Sequence, residues 1–349
     1  MKQLQSRISI QSTSKMTIRW GIVSAGKICS DFVNAVNSYP QKGDQEIVAV
    51  AARDKTKADE FAKLHNIKKT FGSYEEMAKS GGIDVVYIGA LNPYHFELAK
   101  LYLSNGKHVL CEKPLCMNTN QAAALIDLAR NKKLFLMEAV WSRFSPAYEE
   151  MMKEIENGDI GEVKFLEANL GFFSESDRVN LKQLGGSAVL DVGVYVIQLA
   201  QLIFKDWPIK VDAFGNVNED GVDYTETIIL EYPGGKRAVL NTHTQLQLIN
   251  NAIVYGTKSR ITLKPPFHFP HKIIRSDGTV KEFKLHLSKI PYNFENSAGL
   301  VYEAMEVARC IREGLTESPR MTLAESLRLA VLETKVRNKL GVHFDCDDQ

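Results

Sequence analysis

Between residues 18 and 138, five short apolar runs (18–23, 46–52, 84–89, 107–111 and 134–138) alternate with stretches of helical spacing. Runs of that length between helices are the mark of buried strands. Strands separated by helices pair in parallel through right-handed crossovers. This predicts an α/β fold whose N-terminal half, residues 16–140, is a doubly wound parallel sheet.

In such a sheet, ligands bind outside the carboxyl ends of the strands. The run at 107–111 ends there in Glu112-Lys113-Pro114. Lysine is rarely buried without a partner, and proline cannot continue a ladder. Lys113 is therefore expected to point into a site. The first run leads into Ser24-Ala25-Gly26-Lys27-Ile28 and then a helix with Ile28, Phe32, Val33 and Val36 on one face. Against the pattern G-x-G-x-x-G, Ser24-x-Gly26-x-x-Cys29 keeps one glycine and has small residues at the outer positions. A small-residue turn before a helix N-terminus can cradle a pyrophosphate. The second run ends at Arg53, where a site for NAD usually carries an acid; a guanidinium suits a 2′-phosphate, and the expected cofactor is NADP. Asn92-Pro93 begins a turn at another strand end, with His95 just after it. These features define a dinucleotide-binding domain of Rossmann type.

The second half, residues 141–349, reads as an α+β domain. A helical pattern at 147–156 precedes an alternating strand at 162–170. Gly185-Gly186 opens a long helix, 188–204, which carries Asp191 and Tyr195 at i and i+4 on one face. Alternating segments at 209–216, 224–232, 238–244, 252–255, 260–263, 273–276 and 280–284 are joined by turns such as Pro233-Gly234-Gly235. They predict a large, mainly antiparallel sheet. Helices at 299–313 and 323–340 close the chain.

A net charge of +1 gives no electrostatic basis for binding nucleic acid or an anionic membrane. No apolar run approaches the ~20 residues of a membrane span. Five cysteines without a C-x-x-C pair point to reduced thiols and a cytoplasmic protein. His268 and His271 read as loop residues, and no metal site is expected. Residues 1–15, basic, Ser-rich and without acid, have the composition of a presequence; the preferred reading is a disordered extension before Met16.

Gly21-Ile22-Val23-Ser24-Ala25-Gly26, Ala51-Ala52-Arg53-Asp54, Asn92-Pro93-x-His95 and Cys111-Glu112-Lys113-Pro114 together resemble the glucose–fructose oxidoreductase/inositol dehydrogenase (Gfo/Idh/MocA) family. The likeness continues through residues 135–144, 185–195 and 221–223 and covers the chain from Met16 to about Phe344. It implies NADP-dependent oxidation of a small molecule: a cyclic diol (trans-dihydrodiol to catechol) or an aldose (D-xylose to xylonolactone). It implies Lys113, Tyr195 and Asp191 as catalytic residues, with Tyr195 as base and Lys113 lowering its pKa. Ser24, Ala25, Gly26, Lys27, Ile28, Arg53, Asn92, His95, Glu112 and Lys113 would bind the cofactor. Trp141, Arg143, Phe172 and Phe294 would line the substrate pocket. Many relatives carry histidine where Tyr195 stands. The resemblance further implies a cis Lys113–Pro114 bond, C-terminal helices that return to the first domain, and a homodimer formed through the second sheet. The competing readings are another sugar or polyol dehydrogenase of the family and a non-catalytic NADP-binding regulator.

Overall fold

A computed structural model describes residues 16–348; the expected extension at 1–15 lies outside the described residues. The first sheet contains β1 (Ile18–Val23), β2 (Gln45–Ala51), β3 (Lys69–Phe71), β4 (Val85–Ile88), β5 (His108–Glu112) and β6 (Leu136–Ala139). Its order is β3-β2-β1-β4-β5-β6, and every neighbouring pair is parallel. Helices α1 (Lys27–Ser38), α2 (Lys55–His65), α3 (Tyr74–Lys79), α4 (His95–Ser104) and α5 (Thr119–Lys132) make the crossovers. The strand missing from the sequence reading is β3. It is three residues long and half-exposed at the sheet edge, so it leaves no apolar run. The order reverses between β1 and β4, which opens the crevice at their carboxyl ends.

The second half begins with α6 (Pro146–Asn157), β7 (Val163–Gly171) and the short α7 (Asp177–Asn180). After α8 (Val194–Phe204) come β8 (Lys210–Val217), β9 (Asp223–Tyr232), β10 (Lys236–His243), β11 (Ala252–Gly256), β12 (Arg260–Leu263), β13 (Lys272–Ile274) and β14 (Val280–Glu282). Helices α9 (Leu300–Arg312) and α10 (Leu323–Leu340) follow. The sheet order is β14-β13-β12-β11-β7-β10-β9-β8, antiparallel except for the central β7–β10 pair. Residues of β9 and β10 alternate buried and half-buried, so one face of the sheet packs inward and the other stays open.

Two sequence expectations change here. The helix at 188–204 is not uniform: Val189–Gly193 forms a π-helical turn that runs into α8. The stretch Lys182–Phe204 is also long and apolar enough to cross a bilayer by length and composition, contrary to the sequence count. Its apolar window is 89% buried inside the fold, so it is a core helix, apolar on all sides because protein surrounds it.

The two halves share one apolar core. Trp20, Phe32 and Val33 belong to the same buried cluster as Leu240, Val254 and Phe267. Helix α10 returns to the first sheet, with Leu323 and Ala330 packed in the cluster of Val109, Cys111 and Leu125. A smaller latch lies at the crevice. Gly185 has φ +75, and a Cβ there would lie 2.5 Å from Pro93 Cδ. The Asn92 side-chain amide donates to the Gly185 carbonyl at 3.3 Å. Gly185→Ala combines a left-handed backbone with overlap on Pro93, and should destabilise the protein by about 2–4 kcal/mol. A thermal melt of that variant checks it; an unchanged midpoint would contradict the latch.

Candidate active site

The turn after β1 fits a dinucleotide. Ser24 sits at φ +93, and its N–H donates to the Ala51 carbonyl at 2.9 Å. Gly26 caps α1 with no side-chain hydrogen bond, and the first turn, which includes Lys27 and Ile28, carries no acid. The free N–H groups and positive end of the helix dipole therefore face the crevice with no competing anion. Cys29, at the third fingerprint position, is packed rather than exposed. A Cβ on Gly89 would lie 2.5 Å from its sulfur, so the end of β4 rests directly on α1. Arg53, exposed just beyond β2, lays its guanidinium over the Tyr94 ring at 5.4 Å. No carboxylate pairs with it among the described residues.

Lys113 follows β5, and its bond to Pro114 is cis. Its ammonium donates to the Asp191 carbonyl at 2.7 Å and to the Asp191 carboxylate at 3.1 Å. It also lies 5.0 Å from the centre of the Tyr195 ring. The π-turn presents both the carbonyl and the side chain of Asp191 to Lys113, and such turns often occur at functional sites. Burial lowers the lysine's proton affinity, but Tyr195 and Asp191 outweigh it, and its pKa lies above the ordinary value. Burial disfavours the charged Asp191 carboxylate, yet Lys113 and Arg178 hold it well below the usual range.

Arg178, on α7, was not visible as a site residue in the sequence. It donates from both terminal nitrogens to Asp191 at 3.0 Å each. Thirteen residues and a loop separate the two, so no spacing rule links them. With Lys113 and Arg178 both on it, the carboxylate anchors two cations.

Tyr195 is 8% exposed, and its hydroxyl accepts from Trp141 Nε1 at 2.9 Å. Burial pushes the phenol up to about 12, and Lys113 offsets only part of that rise. The expected approach to neutrality is not reached, because burial outweighs the ammonium. Trp141 stacks on Phe269 at 4.4 Å between ring centres. His268, read from the sequence as a loop residue, places its ring 5.1 Å from that of Tyr195. Burial, with Lys113 nearby, lowers its pKa to about 4, so it is neutral at neutral pH. Its Nδ1 is buried without a partner among the described residues.

Other expected site residues lie behind this surface. Arg143 is 4% exposed; it donates to Gln198 Oε1 at 2.7 Å and Glu325 Oε1 at 2.8 Å. Gln198 in turn donates to the Tyr195 carbonyl at 3.1 Å, so Arg143 braces α8 and does not line the pocket. His95 faces the backbone: its ring nitrogens lie 2.7 Å from the Pro114 carbonyl and 3.0 Å from the Ala90 carbonyl. It supports the Lys-Pro turn. Glu112 is enclosed as well, accepting from the Tyr87 hydroxyl at 2.5 Å and the Lys113 N–H at 3.3 Å. Asn92 is committed to Gly185. Phe172 packs against the shared core, whereas Phe294 is 47% exposed and its N–H donates to Asp31 in α1. These two phenylalanines thus occupy different places.

The comparisons with known proteins agree with this architecture. Residues 18–140 match the Gfo/Idh/MocA oxidoreductase family, NAD-binding Rossmann fold, and residues 148–262 match the Gfo/Idh/MocA C-terminal domain. The chain is 43% identical to trans-1,2-dihydrobenzene-1,2-diol dehydrogenase of Xenopus tropicalis over 94% of this chain and 100% of that protein. The Homo sapiens protein of the same name is 40% identical over 95% of this chain and 99% of its own. Levoglucosan dehydrogenase, solved with NADH and levoglucosan, superposes with a TM-score of 0.81 at 19% identity, over 93% of this chain and 98% of that one, a likeness of fold. A 3-ketoreductase from Actinomadura kijaniata, solved with NADP and TDP-benzene, gives 0.77 at 25% identity over the same shares. A parallel sheet whose first helix has no side-chain cap, a lysine meeting an acid and a phenol across the crevice, and relatives of this identity along nearly the whole chain have one reading: the chain belongs to the Gfo/Idh/MocA oxidoreductase family.

Proposed function

We propose that this protein is an NADP-dependent dehydrogenase that oxidises a hydroxyl group of a cyclic diol or an aldose. The observation that carries the reading is the contact of Lys113 with Asp191 and the Tyr195 ring, reached from opposite halves of the chain. The dihydrodiol dehydrogenases among the relatives favour a trans-dihydrodiol, with D-xylose as the aldose to test. A bound nicotinamide dinucleotide would supply the hydride acceptor. Ser24 to Ile28 would hold its phosphates, and Arg53 its 2′-phosphate.

The protein's own task is to hold the substrate hydroxyl and move its proton. Lys113 stays charged and stabilises the oxygen as negative charge develops. Tyr195 exchanges the proton. Its phenol is protonated at neutrality, which suits it to donate a proton in the reductive direction. Oxidation uses the phenolate, whose fraction grows about tenfold per pH unit below the pKa. His268, neutral beside the Tyr195 ring, leaves Lys113 as the cation nearest the phenol. The exposed faces of the central strands carry half-buried Phe165, Ile229, Val239, Ile253 and Tyr255. That surface suits a homodimer through the second sheet. Five free thiols, four of them buried, suit a reducing compartment such as the cytoplasm.

Oxidation should accelerate between about pH 7 and pH 9, while reduction at saturating reduced cofactor should stay flat. Tyr195→Phe should lose roughly 100-fold in kcat together with that slope. A slope that survives in Tyr195→Phe would remove the tyrosine from proton transfer. Lys113→Met should retain cofactor binding and lose most turnover. Steady-state rates with a benzene dihydrodiol, D-xylose, glucose and inositol, each with NADP and NAD, test the substrate class. Arg53→Asp should weaken NADP by about 1.5–3 kcal/mol and leave NAD nearly unaffected; equal losses for both cofactors would exclude a 2′-phosphate contact. Sedimentation velocity should give a dimer at micromolar protein, and Val239→Lys should shift it toward monomer.

A further inference from the structure

Residues 283–296, between β14 and the turn before α9, contain neither strand nor helix. They nonetheless follow one face of α1 closely. Asp31, Asn34 and Ser38 stand at i, i+3 and i+7 on that helix, on the side away from Ile28, Phe32 and Val36. In the fold Asp31 is fully buried and Asn34 is 4% exposed. Asn34 donates to the Ile290 carbonyl at 2.7 Å and accepts from the Ser288 hydroxyl. Ser38 and Tyr292 share a hydrogen bond at 3.3 Å.

The strongest attachment is at the phosphate end of α1. Asp31 Oδ1 accepts from the Asn293 N–H at 2.8 Å and from its side-chain amide at 2.7 Å, and Oδ2 accepts from the Phe294 N–H at 3.0 Å. The Asn293 amide also reaches the Lys27 carbonyl in the first turn, at 3.4 Å. The strap then turns toward the reacting groups. The Asn296 side chain donates to the Phe269 carbonyl at 2.9 Å. Phe269 stacks on Trp141, which donates to the Tyr195 hydroxyl. One segment thus joins the first turn of the phosphate helix to the aromatic pair that supports the phenol.

We propose that residues 293–296 form the outer wall of the cofactor groove, and that Asp31 is the positioning residue that holds this wall in place. The inference rests on the reading above, in which α1 receives the dinucleotide. Its physical basis is that a buried carboxylate taking three N–H groups is a strong, directional anchor. Releasing it frees a segment that has no secondary structure of its own. The cofactor would then leave faster, and the Phe269–Trp141 stack would lose its tie to α1.

NADPH release is measured by stopped-flow fluorescence for the unmodified full-length protein, Asp31→Ala and Asn293→Ala. Asn293 is exposed, so its variant tests the wall without threatening the fold. Dissociation should be about tenfold faster in Asp31→Ala and about threefold faster in Asn293→Ala, the size expected for losing hydrogen bonds to a charged acceptor. The KM for cofactor should rise in step. Asp31→Asn, which keeps one acceptor oxygen, should fall between the unmodified protein and Asp31→Ala. Dissociation rates within twofold of the unmodified protein in both alanine variants, whatever their melting temperatures, would overturn the wall and leave the proposed function standing. An unmodified protein that binds neither NADPH nor NADH would overturn both.

Discussion

The ion pair between Lys113 and Asp191 depends on both halves of the chain, and the site depends on it. A lysine enclosed this far needs an anion, and an acid so enclosed needs a cation. Lys113 finds its acid across the crevice: β5 delivers the lysine and the π-turn before α8 delivers the acid. Arg178 adds a second cation, which keeps the carboxylate ionised and directional. The pair therefore specifies how the second domain docks on the first. It also keeps the Lys113 ammonium charged beside the Tyr195 ring.

Around this pair, supporting residues work through others. His95 and Glu112 secure the backbone on either side of Lys113. Arg143 and Gln198 brace the helix that carries Tyr195. Trp141 fixes the phenol hydroxyl, and its own ring is fixed by Phe269. These side chains behind the site are thus tied to one another, a costly arrangement unless geometry at the site needs it. The strap across α1 ties the same aromatic pair to Asp31 on that helix.

Much of this was legible in the linear chain, for identifiable reasons. Parallel strands, the phosphate turn and the Lys-Pro corner follow from local periodicity and residue type, which act within a few residues. Tyr195 and Asp191 were legible as a polar pair in an apolar helix. Arg178 and His268 were not, because one comes from the short α7 and the other from a loop, and the placement of both depends on tertiary packing. Arg143 was misassigned because a charged residue beside a site reads the same whether it faces substrate or the core. Only its contacts with Gln198 and Glu325 distinguish the two. The β7–β10 pair was missed as parallel because adjacent alternating runs suggest hairpins, and nothing local reveals a strand inserted between them.

The sequence by itself determined the kind of fold, the position of the nucleotide turn and the identity of the lysine, phenol and acid. Those depend on side-chain periodicity, backbone preference and motif. Tertiary structure decided what each group is able to do. It set the phenol high by burying it, committed Asp191 to two cations, turned His95 and Arg143 away from the crevice, and laid the strap on Asp31. These outcomes depend on distances between groups far apart in the chain. Such distances exist only once the common core of the two halves has closed.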